Sequence, residues 1–340
     1  MKIMTNRTSQ LRILAVTNML PTPDDPHSGR FIEQQIKTLR RMGMEVEILL
    51  VNRKAGIGAY FSLPAMLREA TVRFQPDLVH VMYGGIMAWI IPHVVRDRPV
   101  MVTFHGSDLL GQPFERPLRR FLSACGVLAS KQGARLCSGI VAVAEHLVER
   151  LPKSVSVSRV EVIPCGIDMD IFRPLDRVSC RKQLGWTEDT FHVLFQVTGD
   201  PVKRPELAAA AMERLKELGV KAELHYLRGI EYERVPIWIN GSDVLLLTSR
   251  HEGSPTIVKE ALACNLPIVS VGVGDVPKRI GELKGCYLSS ADPTELALSL
   301  QAVRIHPVEI AGRAAASSVS TESCTQRLIE FYARVLRSWD

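Results

Sequence analysis

The stretch SRHEGSPTIVKEALACNLPIV, residues 249–269, carries a complete unit of α/β architecture. An apolar run over 243–248 feeds a polar loop with Arg250, His251 and Glu252. Ser254 is the expected N-cap and Pro255 the expected first helical residue, a favoured pairing at a helix start. The spacing predicts a helix over 255–263 and a second β-branched run over 267–271. Apolar strands separated by helices belong to a parallel sheet covered on both faces.

The same rhythm extends in both directions. After residue 190, strands are expected at 192–197, 222–227 and 286–288, and helices at 205–218, 294–303 and 321–339. Before residue 165, strands are expected at 11–18, 44–51, 78–82, 100–104, 139–143 and 160–163. Helices are expected between them at 31–42, 61–74, 84–95, 115–134 and 144–151. The segment PCGIDMDIFRP, 164–174, breaks the alternation with two prolines and a glycine and reads as an interdomain linker. The fold class is α/β, with two Rossmann-like, doubly wound domains facing a central cleft. Ligands of such sheets bind at the carboxyl ends of the strands.

Composition agrees. The chain has 340 residues, 46% hydrophobic and 23% charged, enough for two cores. The first ten residues are polar, so no signal peptide is expected. The apolar run 84–95 is shorter than the roughly 20 residues of a spanning helix. Seven widely spaced cysteines with no CxxC pair point to reduced thiols and a cytoplasmic location. There is no DxD, HExxH or clustered His/Cys pattern, so no metal is expected. The net charge of +6 falls almost wholly in the first half. Two readings stand: ordinary solubility charge, or attraction to an anionic membrane surface or a phosphate-bearing acceptor. No nucleic-acid partner is expected.

Four places could carry chemistry. At 249–269 the amides of Thr256 and Ile257 open a helix and, with its dipole, form an anion site. Glu252 and Glu260 flank it, and carboxylates accept hydrogen bonds from hydroxyls. Anion donors between hydroxyl acceptors suit a sugar–diphosphate–ribose ligand; a capped helix with solvated acids is an equal reading. In FQVTGDPVKRPELAAAA, 195–211, Lys203 and Arg204 stand before a helix start and would attract a diphosphate. In VTFHGSDLLG, 102–111, His105 follows a buried strand at its carboxyl end, and Asp108 reads as a cap. Ser28-Gly29 precedes a helix in the first βα turn, without a GxGxxG fingerprint.

The E-x7-E arrangement Glu252…Glu260, followed by EALACNLPIVSV and the Gly272–Gly274 loop, resembles the donor site of retaining GT-B glycosyltransferases of the family-4 type. The resemblance spans most of the chain. It implies that Glu252 contacts sugar hydroxyls and Glu260 the ribose, with Gly253, Ser254, Thr256 and Ile257 around the donor. It makes His105, in T-x-H-G-x-D, a ligand of the sugar. Lys203 matches the family lysine, while Thr198 stands at the usual arginine, with Arg204 as a substitute. Gly29 nears the donor phosphates. His105, Glu252 and Lys203 are then the catalytic candidates.

The chain departs from the family in two places. Cys165 stands where asparagine is common in the hinge, although Gly166 and Asp168 match. A strand–helix unit is missing between AELHYLRG and WINGSDVLLLTS, so the second domain is abbreviated. The resemblance implies a first domain over 1–165 that binds acceptor, a second over 166–325 that binds donor, and a terminal helix over 326–340 packing back toward the first. The implied reaction moves a sugar from a UDP- or GDP-sugar, with no cofactor, to a carbohydrate or lipid-linked acceptor. Two alternatives stay open: a hydrolysing nucleotide-sugar epimerase, and a non-catalytic nucleotide-sugar-binding module. Helix 61–74 with Arg68 and Arg73, and the Arg116, Arg119 and Arg120 cluster, read either as a membrane-touching surface or as a charged outer face.

Overall fold

A computed structural model describes residues 10–22, 28–52, 56, 58–112, 114, 116–197 and 201–339. Thr198 and Gly199 lie outside them. The first lobe is a parallel sheet of β1 (Arg12–Thr17), β2 (Glu45–Leu50), β3 (Leu78–Val81), β4 (Val100–Phe104), β5 (Gly139–Ala142) and β6 (Val160–Val162), in the order β2-β1-β3-β4-β5-β6. The second is a parallel sheet of β7 (Phe191–Gln196), β8 (Ala222–Leu227), β9 (Val244–Leu247), β10 (Ile268–Val271) and β11 (Tyr287–Ser289), in the order β11-β10-β9-β7-β8. Central strands β3, β4, β5, β9 and β10 are buried at every residue, which is why they read as near-continuous apolar runs, broken only by His80, Thr103 and Ser270.

Some elements differ from expectation at their ends. The helix expected over 115–134 runs Pro117–Leu136: Pro117 suits the first turn, and Gly133 is carried inside it because a Cβ there would lie 2.1 Å from the Ala88 carbonyl. The helix expected over 144–151 shrinks to Glu145–Val148. An unanticipated helix, Arg177–Leu184, follows the linker, capped by Asp176 accepting from the Ser179 amide and ended by Gly185.

The lobes are bound together along the linker and by the chain's return. Arg313 donates to the carbonyls of Met169 and Phe172 at 2.8 Å. Ile167 bridges to Ser320, after which helix Thr321–Trp339 lies against the first sheet. Its Tyr332 hydroxyl meets His80 Nδ1 at 2.7 Å in a fully buried contact, and His80 Nε2 meets Thr103 Oγ1 at 2.7 Å. Burial holds the His80 pKa down to about 3, so this is a neutral polar network in the core.

Candidate active site

The loops leaving the carboxyl ends of β4 and β9 meet face to face. A Cβ built on Gly253 would lie 2.0 Å from the carbonyl oxygen of His105, so only glycine admits this approach. The Asp108 carboxylate accepts from the amides of His105 and Gly106 and from Gly84 at 3.1 Å, binding the loops after β3 and β4 into one rigid wall.

Both ring nitrogens of His105 are engaged within the protein. Nε2 lies 2.9 Å from the Met82 carbonyl, to which it donates, and Nδ1 lies 3.4 Å from the Cys165 sulfur. Phe31 and Tyr83 pack on the ring. Burial alone disfavours a charged imidazole, but the Cys165 thiolate, Asp108 and the Met82 carbonyl outweigh it and raise the His105 pKa. Burial likewise works against the thiolate, and His105 with Lys259 overcomes it, lowering the Cys165 pKa. Each group thus shifts the other's pKa toward its charged form, His105 upward and Cys165 downward.

Across the cleft, Glu252 Oε1 accepts from Lys203 Nζ at 2.6 Å and from Ser249 Oγ at 2.6 Å. The Lys203 and Glu252 side chains are only 12% and 15% exposed, respectively. Arg204, with φ of 50°, donates from Nε to the Thr248 carbonyl at 2.5 Å and from Nη2 to the Ser249 carbonyl at 3.2 Å. It pins the start of helix Pro205–Glu217 to the end of β9 and so sets the position of Lys203.

The helix after the loop runs Thr256–Ala263. Pro255 is the N-cap residue, with ψ of 123°, rather than the first helical residue, and Ser254 is not the cap. The Ser254 hydroxyl instead donates to Asp275 Oδ2 at 2.7 Å and accepts from Lys259 Nζ at 2.9 Å. Lys259 is fully buried and also donates to the Cys165 carbonyl at 2.7 Å, carrying a bond from the second lobe to the hinge. The Ile257 side chain is buried, so what it can offer a ligand is its amide.

Thr256 and Glu260 line a cavity of about 470 Å³ together with Ser28, Arg30 and Phe31 of the first lobe and Arg228 of the second. Gly29, with φ of 65°, caps helix Arg30–Arg41 beside it; its Cα faces the Met19 carbonyl, where a Cβ would stand at 2.5 Å. Burial, partly offset by Lys259, pushes the Glu260 pKa up to about 7. Tyr232 closes one side: its hydroxyl donates to Gln34 Oε1 at 3.3 Å, Gln34 donates to Asp168 Oδ2 at 2.8 Å, and Arg30 stacks over the ring at 5.5 Å. Lys203, Arg204 and Glu252 are not in this lining; they form the adjoining cluster.

Sequence reasoning missed several contributors, among them Arg30 and Arg228 of the cavity wall. Cys165 reads as a hinge residue, and its one signal is the departure from asparagine. Lys259 sits in a helix whose lysine looks solvated. Tyr232 lies in the shortened segment 230–238, where no motif marks it.

Two parallel sheets facing across a cleft define a two-lobed α/β architecture. The model of glycosyltransferase family 4 matches residues 45–171, and that of the glycosyl transferases group 1 matches residues 182–303. The chain belongs to the GT-B glycosyltransferases of the family-4 type. A D-inositol 3-phosphate glycosyltransferase of Geodermatophilus obscurus is 26% identical, over 79% of this chain and 69% of its own length. One of Mycobacterium avium is 25% identical over 98% and 96%. Sucrose-phosphate synthase of Thermosynechococcus elongatus superposes with a TM-score of 0.76 at 15% identity, covering 97% of this chain and 100% of that one. Anabaena HepE, solved with UDP and glucose, gives 0.69 at 16% identity, covering 95% and 100%.

Proposed function

We propose that this glycosyltransferase moves a sugar from a UDP- or GDP-sugar to an acceptor hydroxyl with retention of configuration and without a metal ion. The observation that carries the reading is the 470 Å³ interlobe cavity, lined by Arg30, which also pairs with Glu33, by Arg228, and by Thr256 and Glu260. Cations and first-turn amides suit a diphosphate, and a buried carboxylate suits ribose hydroxyls. The second lobe, from about residue 166, holds the donor; the first, up to about 165, presents the acceptor.

In this reading Glu252 grips the sugar hydroxyls, and Lys203 exchanges its carboxylate partner for the leaving diphosphate. Stabilising charge on the leaving group is the main electrostatic demand of the reaction. His105 acts through charge and position, since both its nitrogens are committed. With Nε2 on the Met82 carbonyl and Nδ1 on Cys165, its main work is to fix the loop that meets Gly253. Arg204 acts as a positioning residue for Lys203, and Ser254 for the helix start. Gly253 and Gly29 let their loops pack against the His105 and Met19 carbonyls and so hold the cleft's backbone in place.

For the acceptor, the relatives' named substrate is a phosphorylated polyol. The exposed Leu118, Phe121 and Leu122, interleaved with Arg119 and Arg120 on helix Pro117–Leu136, suit instead a lipid-linked acceptor at an anionic cytoplasmic membrane face, in polysaccharide or glycolipid assembly. Among the described residues no helix is long and apolar enough to cross a membrane. Purified chain is mixed with UDP- and GDP-sugars, with and without soluble and liposome-borne acceptors. Release of nucleotide coupled to a new glycoside of unchanged anomeric configuration supports the reading. Turnover of donor to an epimerised free sugar, or binding without turnover, replaces it with the epimerase or the binding module. Failure of Phe121→Glu to reduce binding to anionic vesicles removes the membrane element.

A further inference from the structure

The far edge of the second sheet carries a separate constellation of side chains. His192 in β7 stands in register with Glu223 in β8, and His225 follows two residues later on the same face of that strand. Among the described residues this is the one set of three or more His, Cys, Asp and Glu side chains whose ligand atoms converge.

The geometry fits an ion. His192 Nε2 lies 2.7 Å from the Thr187 carbonyl and donates to it, which leaves Nδ1 with its lone pair directed at His225. Nδ1 is 2.8 Å from His225 Nε2, and Glu223 Oε2 lies 4.0 Å from the former and 3.7 Å from the latter. The equidistant point in the plane of the three atoms lies about 2.1 Å from each, the length of a zinc–nitrogen or zinc–oxygen bond, and a tetrahedral ion would open the 2.8 Å His192–His225 contact to about 3.4 Å. A histidine whose outer nitrogen is held by a carbonyl is also the usual arrangement at a metal, because that bond fixes the tautomer and ring orientation.

The surroundings hold the rings still. Trp186 stacks on His225 with centroids 3.7 Å apart and on His192 at 4.8 Å, and Trp238 meets Trp186 edge-on at 5.5 Å. His192 is fully buried, while Glu223 is exposed on the edge strand, so an ion has an entry path from solvent and water can complete its coordination. Two imidazoles and one carboxylate favour zinc-class ions over the hard, all-oxygen preference of magnesium or calcium.

We propose that His192, Glu223 and His225 form a site for one zinc-class divalent cation that ties β8 and the turn at Thr187 to β7. The site lies on the outer edge strand, takes no part in sugar transfer, and stands or falls independently of it. Sequence spacing hides it, because the parallel crossover between β7 and β8 separates the ligands.

The test uses untagged full-length chain, stripped with chelator and dialysed, then equilibrated with zinc chloride at low micromolar free metal. The expected result is one zinc per chain by elemental analysis and a higher melting temperature. Glu223→Ala and His225→Ala, with unchanged far-UV circular dichroism, should each bind zinc at least tenfold more weakly. Cobalt in place of zinc should give visible ligand-field absorption that both variants lose. Absence of stoichiometric zinc, or variants that bind as the wild type does, overturns the site. Glu223 is exposed, so its variant stays informative even where a histidine variant misfolds.

Discussion

Gly253 in the second lobe and His105 in the first touch through backbone, with room at Gly253 for a hydrogen and nothing larger. This contact sets how closely the Glu252 loop approaches the β4 loop. Gly253→Ala must push the lobes apart or shift one loop by more than 1 Å. Displacements of that size cost about a hundredfold in rate when reacting groups are held by position. Transfer should fall at least that far, with solution scattering showing a wider cleft. Wild-type kcat in the variant would show that the closed arrangement is not the working one.

Lys203 and Glu252 neutralise each other before any donor arrives. Glu252→Gln keeps the shape and loses the charge, so Lys203 loses its ion pair. Transfer should drop by about 10²–10³, the usual effect of removing one directed charge contact in a transition state. Lys203→Met should do the same, and the double variant should be scarcely worse than either, since the two act as a unit. Steady-state kinetics on the four proteins, with melting curves to exclude unfolding, measures this. Additive losses would separate the two roles.

The fold was legible because its central strands are buried on both faces and so read as apolar runs between amphipathic helices. The two parallel sheets and the helices between their strands follow from that. The loop at Glu252 was legible because a strand, a polar loop and a helix start lie within one short stretch. What was not legible depends on contacts across the lobes. Lys259 reaches Cys165 over 94 residues and Tyr232 reaches Gln34 over 198, and no local pattern records either. Ser254 was misread as a cap because its hydroxyl has a stronger partner in Asp275, 21 residues away. His105 was placed correctly at a strand end, but the thiol that occupies its Nδ1 comes from the hinge.

Cys165 lies 3.4 Å from His105 Nδ1 and raises the pKa of the ring, so removing the sulfur should be felt there. In Cys165→Ala, burial acts on His105 without the opposing thiolate, and its pKa should fall. The titration of the His105 ring, followed by NMR, should move to lower pH. Any alkaline loss of activity that reports on the imidazolium should move the same way. An unchanged titration would mean that Asp108 and the Met82 carbonyl suffice to hold the charge.

Glu260 makes stability and binding depend on pH in opposite senses. Its carboxyl titrates near 7 in the fold and near 4.5 when exposed. Between those values the folded state binds the extra proton, so stability falls as pH rises, and above 7 the whole cost is felt. A shift of this size is on the order of 3 kcal/mol at 1.36 kcal/mol per unit. Glu260→Gln should therefore melt higher than wild type at pH 8 and close to it at pH 4. Donor binding should run the other way: the ionised carboxylate is the better acceptor for hydroxyls, so affinity in the wild type should improve as pH rises through 7. In Glu260→Gln that rise should vanish and affinity should be weaker at pH 8. Calorimetric titration with a nucleotide sugar at pH 6 and pH 8 measures both, and a wild-type affinity that does not change between them would remove Glu260 from the ribose.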